Sequence, residues 1–195
     1  AASGIGRETA HIFAREGANV TCADVNAEGA VAVVDEINSS GSQAIAAECD
    51  VTDATQVKYA VAATLDAFGG IDFQFNSAGS AIRRSSFLDI DTDLWDRAFA
   101  LNAKSVFTCM QAVLPHMLDR GNGVIVNVAS MSVKRGGPGT SVHYAAAKGA
   151  VTTMTLGVAR EFANRGIRCL SISPGPINTA FQAASDTSPE LMQQF

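Results

Sequence analysis

AASGIGRETAHIFAREGANVTCAD, residues 1–24, carries a glycine turn, an amphipathic run and an alternating segment ending in a carboxylate. Ile5, Ala10, Ile12 and Phe13 fall on one side of a helical wheel, which predicts a helix from Gly4 to Glu16 closed by Gly17. NVTCAD alternates like a short strand ending at Asp24. A glycine turn opening a helix aims free amides and the positive end of the helix dipole at an anion. Gly4 and Gly6 would let that anion approach the backbone closely. The same turn could equally serve to pack helix against strand, so its meaning depends on the residues downstream of it.

Further along, Ala27 to Ser39 reads as a helix closed by Gly41, and Gln43 to Glu48 as a strand. Asp53 caps a helix carrying Val57, Val61, Leu65 and Phe68 on one face, stopped by Gly69 and Gly70. IDFQFN (71–76) is the next strand. Leu94 to Leu118 reads as one helix kinked at Pro115, GVIVNVA (123–129) as the most apolar strand, Tyr144 to Ala163 as a helix and IRCLSIS (167–173) as the last strand. Residues 174–189 read as a loop. Strict alternation of helix and strand predicts an α/β fold: a doubly wound, Rossmann-type parallel sheet with helices on both faces, in one domain over residues 1–195. Ligands in such sheets bind beyond the carboxyl ends of the strands.

The bulk composition excludes several classes of function. Fourteen basic and nineteen acidic residues give a net charge of −5, without the basic stripe that nucleic acid requires. The longest uncharged stretch, Cys169 to Ser185, is broken by Pro174, Gly175, Pro176 and Asn178, so no membrane span is expected. Cys22, Cys49, Cys109 and Cys169 are scattered through apolar segments, which suggests a reducing, cytoplasmic compartment. His11, His116 and His143 lack metal-ligand spacing, and no metal is expected.

Asp24 follows Gly6 by 18 residues, close to the spacing at which a carboxylate meets an adenosine ribose. It would accept from ribose hydroxyls and repel a 2′-phosphate, which favours NAD over NADP; alternatively it is an ordinary turn aspartate. Asp50 in ECDVTD could touch the adenine edge or merely order its turn. Tyr144 and Lys148 in YAAAK lie one helical turn apart. A tyrosine's ordinary pKa of about 10 is high for proton transfer near neutrality, and an adjacent ammonium favours the phenolate. Ser130, delivered to the sheet edge by IVNVASMS, could bond a substrate carbonyl, with Ser132 its rival. Asn102 in ALNAKSVF conflicts with helix propensity, which suggests a polar task such as holding a water.

Taken in order, these segments resemble the classical short-chain dehydrogenase/reductase family over essentially the whole chain. ASGIGRETA is similar to the latter part of its T-G-x-x-x-G-x-G cofactor loop, CDVTD to its adenine-contact turn and NSAG (76–79) to its N-N-A-G element. YAAAK and SPGPINT (173–179) complete the series. The resemblance implies a catalytic tetrad of Ser130, Tyr144, Lys148 and Asn102. It implies cofactor contacts from Ser3, Gly4, Ile5, Gly6, Asp24, Asp50, Val51, Asn76, Ala78, Gly79, Tyr144, Lys148, Pro174, Gly175, Ile177 and Thr179. It also implies a small alcohol or ketone substrate and a homodimer or homotetramer built through the two long helices.

Ser77 departs from the family's second asparagine, and the 14-residue interval from Ser130 to Tyr144 is one longer than the usual spacing. The family's first and last strands are also missing; the first lies in the middle of that family's sheet, so its absence would leave two neighbours with unpaired edges. Two other classes stay open: a non-catalytic dinucleotide-binding protein of the same fold, and an epimerase or dehydratase. A hydrolase built on Ser130 is disfavoured because VASMS lacks the G-x-S-x-G elbow. Arg83, Arg84, Lys134, Arg135 and His143 could meet an acidic substrate or be ordinary loop charges. Phe181 and the loop to Phe195 are expected to help line the substrate pocket.

Overall fold

The computed structural model describes residues 1–137, 140–177 and 179. Its main elements are α1 (Gly4–Arg15), β1 (Val20–Asp24), α2 (Ala27–Ser39), β2 (Ala44–Glu48), α3 (Ala54–Phe68), β3 (Phe73–Asn76), α4 (Thr92–Phe99), α5 (Ser105–Arg120), β4 (Gly123–Val128), α6 (Ser132–Arg135), α7 (Val142–Phe162) and β5 (Ile167–Ile172). The boundaries follow local chemistry. The side chains of Asn26, Asp53 and Asp91 accept from the first-turn amides of α2, α3 and α4. Left-handed Gly69 and Gly121 end α3 and α5.

All strand pairs are parallel, as the helix–strand alternation predicts, but the strands form two sheets. β1 pairs with β2 from Val20 opposite Ala44 to Asp24 opposite Glu48. β4 sits between β3 and β5, with Asn76 opposite Asn127 and Val128 opposite Ile172. The single sheet expected from the sequence is thus divided between β1 and β3, where unpaired edges were anticipated. Val20, Thr21 and Ala23 on one side and Phe73, Gln74 and Phe75 on the other line the intervening space. The Phe13 and Phe73 rings, with centroids 5.7 Å apart, touch across it. Behind, α3 joins the halves by burying Val57 with Cys49 and Cys109.

A second correction concerns the long helix before β4. It starts at Thr92 and is interrupted by a π-helical turn, Ala100–Lys104. Such a turn inserts a residue and rotates the helix faces, here bringing Asn102 fully inward. Pro115 lies inside α5. The short helix α6 was not anticipated.

The larger core surrounds β4. Ile125 is fully buried among Val106, Met110, Val113, Met117, Val151 and Ile167, joining α5 and α7 to the sheet. A smaller core gathers Ala10, Ala14, Cys22, Ala30, Val33 and Ile37 around β1. Among the described residues no helix is long and apolar enough to cross a membrane. Removing the Ile125 side chain leaves a cavity that the close-packed sheet cannot refill, so Ile125→Ala is expected to destabilise the fold by about 3 kcal/mol in urea unfolding. A loss below about 1 kcal/mol would place the main core elsewhere.

Candidate active site

Strand β4 and helix α7 bring the reactive side chains together. Lys148 reaches back from α7 and donates from Nζ to the Val128 carbonyl at 2.7 Å, at the carboxyl end of β4. One turn earlier, Tyr144 places its ring centroid 5.9 Å from that ammonium. Ser130, two residues beyond β4, lies beside the Tyr144 side chain, where its hydroxyl favours the phenolate. Ser132 donates its amide and its hydroxyl to Ser130 Oγ, at 3.1 and 2.7 Å. The two serines are thus hydrogen-bonded to each other, Ser132 at the start of α6 and Ser130 beside the tyrosine.

The electrostatics differ from the sequence expectation. Burial raises the Tyr144 phenol above its ordinary value, and the Ser130 hydroxyl and the positive charge of Arg84 only partly offset this. Lys148 is itself almost fully buried, and burial lowers its ammonium to about 8. Its nearest polar partner is a neutral carbonyl rather than a carboxylate.

The loop after β3 is fixed by buried contacts. Asn102 Nδ2 donates to the Ser80 and Ala98 carbonyls at 2.8 and 2.9 Å, while its Oδ1 accepts from the Ser80 amide at 3.1 Å. A Cβ on Gly79 would lie 2.6 Å from Asn102 Oδ1 and 3.1 Å from Lys148 Nζ, so only glycine fits there. His143 Nε2 lies 2.9 Å from the Ala81 carbonyl and must donate to it, because a carbonyl only accepts. Ile82 follows with φ +63°, a strained position for a β-branched residue, storing about 1–3 kcal/mol.

At the other end, the N-cap of α1 is Ser3, whose side chain makes no cap bond, and the Arg7 amide is the first to turn back into the helix. The first-turn amides thus lack a side-chain cap. Asp24 accepts from the Ala1 amine at 2.6 Å and the amides of Ala2 and Asn26 at 2.8 and 2.9 Å. Burial opposes ionisation of Asp24, but these donors outweigh it and hold the carboxyl below its ordinary range.

The two ends of the site face one cavity of about 1410 Å³. It is lined by Ser3, Gly4, Ile5 and Gly6, by Asp24, Asp50 and Val51, by Asn76, Ala78 and Gly79, and by Ser130, Tyr144 and Lys148. Pro174, Gly175, Ile177 and Thr179 complete it. Pro174 is held beside Ser130 by its carbonyl, which accepts from the Met131 amide at 3.0 Å. Gly4 closes on Thr179, where an added Cβ would approach the threonine Cβ to 3.4 Å.

Three expected side chains are engaged in other ways. Asn102 is not among the cavity-lining residues, and its amide is engaged with Ser80 and Ala98. Asp50 accepts from the amide and hydroxyl of Thr52, ordering its own turn. Asn76 donates to Asn127 Oδ1 at 2.8 Å, and Asn127 donates on to Thr155 Oγ1 at 2.9 Å, tying β3, β4 and α7 together. Phe181 and Phe195 lie outside the described residues.

Comparison with known proteins places this constellation. The family model for short chain dehydrogenase matches residues 1–190. The chain belongs to the short-chain dehydrogenase/reductase family. It is 39% identical to an uncharacterized oxidoreductase of Bacillus subtilis, covering all of this chain and 71% of that protein. It is 37% identical to the 2,5-dichloro-2,5-cyclohexadiene-1,4-diol dehydrogenase of Sphingobium indicum, covering 99% of this chain and 76% of the relative. Among solved structures, a 7α-hydroxysteroid dehydrogenase complexed with NADH and 7-oxo glycochenodeoxycholic acid superposes with a TM-score of 0.91 at 33% identity, covering 99% of this chain and 74% of that one. The family comprises oxidoreductases of alcohols and ketones that bind a nicotinamide dinucleotide. The residues present fit that group: uncapped amides lie at one end of the cavity, a carboxylate beside them, and a buried ammonium and a phenol at the other end.

Sequence reading passed over the Ser130–Ser132 pair, His143 as a loop anchor and the Asn76–Asn127 pair. Each depends on contacts across 2 to 62 positions of chain, and only the side-by-side placement of His143 and Tyr144 hinted at one of them.

Unfolded Lys148 binds its proton more tightly than the folded residue does. From about pH 8 to its ordinary 10.5 the unfolded chain therefore holds the extra proton, and stability rises with pH by up to about 1.4 kcal/mol per unit from this group. Below pH 8 both states are protonated and the burial penalty is at its full value. Urea unfolding across pH 7–10.5 should show this slope in the native chain and lose it in Lys148→Met; equal slopes would mean that Lys148 is not buried as a charge.

Proposed function

We propose that this chain is an NAD-preferring oxidoreductase of a secondary alcohol or ketone, with Tyr144 as its general acid and base. The observation that carries the reading is the convergence of Ser130, Tyr144 and the buried Lys148 at one end of a cavity whose other end holds the α1 turn and Asp24.

The α1 turn from Ser3 to Gly6 would bind the pyrophosphate through its amides. Asp24 would accept from the adenosine ribose and repel a 2′-phosphate, with Asp50 and Val51 beside the adenine. Asn76, Ala78, Gly79, Pro174, Gly175, Ile177 and Thr179 would enclose the remainder. When bound, the nicotinamide supplies or accepts the hydride. Ser130 donates to the substrate oxygen and stabilises its developing negative charge. Tyr144 gives its phenolic proton to that oxygen on reduction and takes it back on oxidation. A phenol raised by burial is protonated at neutral pH and ready for the reductive direction. Lys148 holds a ribose hydroxyl and offers the positive charge that eases phenolate formation. Asn102 acts through Ser80, setting the loop that closes over Lys148.

Buried free thiols support a reducing, cytoplasmic setting; burial pushes Cys109 up to about 12. Exposed Phe107 on α5 and Leu156 on α7 support assembly into a homodimer or homotetramer through the long helices.

Tyr144→Phe is expected to lose about a thousandfold or more in kcat while retaining NADH binding by fluorescence titration. Ordinary turnover in the variant would refute the general acid. Asp24→Ala should shift the NAD/NADP ratio of kcat/KM about tenfold toward NADP, equivalent to about 1.4 kcal/mol; an unchanged ratio would show that Asp24 does not read the ribose.

A further inference from the structure

We propose that Ile82 is a specificity-determining residue: its side chain walls the cavity beside the reacting carbon and selects substrates by the bulk of the apolar group attached there, with His143 as the positioning residue that fixes it. The inference rests on the proposed reaction and adds to it how a substrate is chosen.

Ile82 stands out first by its backbone. At φ +63° it occupies the left-handed region, where glycine or asparagine is at ease and a β-branched residue is an outlier. The Arg83 amide donates to the Ala81 carbonyl at 2.7 Å across it, which closes a three-residue turn of the strained, positive-φ kind. Glycine would make the same turn without strain. Isoleucine instead keeps a partly buried side chain at a fixed place on the cavity wall.

The surroundings over-determine this turn. The Ile82 amide donates to Ser80 Oγ at 2.9 Å, and Asn102 grips the Ser80 backbone at both its amide and its carbonyl. On the far side, the Ser85 amide donates to the Thr140 carbonyl at 2.8 Å. The Ala81 carbonyl lies at the centre: besides the Arg83 amide it accepts His143 Nε2–H at 2.9 Å, so both its lone pairs are used. His143 is fully buried and Ala81 almost so, which keeps water from competing for these bonds.

The His143 bond also sets where Ile82 lies relative to the chemistry. It joins the residue before Ile82 to the residue before Tyr144, and Ile82 and Tyr144 both line the cavity while His143 does not. Wall and phenol are thus each one position from the same hydrogen bond between buried groups. A substrate whose oxygen meets Ser130 and Tyr144 presents one of the groups on its carbonyl carbon to Ile82. A branched aliphatic side chain, stiff at χ1, offers that group only contact or collision, so it discriminates by shape.

The test uses the full chain with cyclohexanone and its alpha-methyl and alpha,alpha-dimethyl derivatives, a series that adds one methyl at a time beside the carbonyl. Binding to the NAD-loaded chain by calorimetry, and kcat/KM with NADH, are measured for the native chain, Ile82→Ala, Ile82→Gly, His143→Leu, His143→Gln and Tyr144→Phe. In the native chain the dimethyl ketone should bind about tenfold or more weakly than cyclohexanone. Both Ile82 variants should shrink that ratio to less than about threefold, and the kcat/KM ratio should move with it. His143→Leu, which alters no cavity-lining side chain, should shrink it as well, and His143→Gln, which keeps a donor for Ala81, should restore most of it. Thermal melts separate shape from stability: Ile82→Gly should melt above Ile82→Ala, because only glycine is unstrained at positive φ, although both variants open the wall. Tyr144→Phe should keep the native binding ratio while losing turnover. The assignment is overturned if the ratio is unchanged in both Ile82 variants, if the native chain binds the dimethyl ketone as well as cyclohexanone, or if it binds none of the three. A native ratio in a folded His143→Leu, or a melt of Ile82→Gly below that of Ile82→Ala, would overturn the positioning of the turn; should His143→Leu fail to fold, the Ile82 variants decide. Graded binding of the ketones without their reduction would uphold Ile82 and refute the proposed reaction instead.

Discussion

The hydrogen bond from Lys148 Nζ to the Val128 carbonyl is the contact on which the site's geometry depends. An ammonium so deeply buried requires a partner, because an unpaired charge away from water would be strongly destabilising. The last carbonyl of β4 provides it, and this bond draws α7 onto the end of the central strand of the β3–β4–β5 sheet. Tyr144, one turn back, then stands over Ser130. Gly79 can pass only because it has no side chain to meet the ammonium, and its passage brings Ser80 within reach of Asn102. One buried charge thereby sets the positions of a tyrosine, a serine pair and a loop contributed by four segments.

The same placement sets the electrostatics. Burial disfavours both the phenolate and the ammonium, so in the free chain Tyr144 is shifted up and Lys148 down. The positive charge that moderates the tyrosine comes from Arg84, on a loop outside the helix that carries the Tyr-x-x-x-Lys pair. A catalytic function for Tyr144 therefore depends on groups that approach from several elements.

Much of the fold was legible because it is written in local periodicity. Alternating helices and strands, the cap at Asp53 and the glycine stops all depend on neighbours a few residues away. The residues expected around a dinucleotide do line one cavity, since strand ends converge wherever parallel strands alternate with helices. Non-local features were not legible. The π-helical turn at Ala100–Lys104 contains neither glycine nor proline; it arises because Asn102 gains three hydrogen bonds by turning inward. Its poor helix propensity was visible, but the partner that accounts for it, Ser80, lies 22 positions away. The partnership of Ser130 with Ser132 depends on the unanticipated helix α6.

The central claim is that the ends of β4 and α7 form the place where a substrate oxygen is handled. A crystal structure of the chain with NADH and a non-reacting secondary alcohol tests it most directly. The account predicts the alcohol oxygen within about 2.6–3.2 Å of both Ser130 Oγ and Tyr144 Oη. A dinucleotide bound outside the cavity, or an alcohol touching neither hydroxyl, would contradict it.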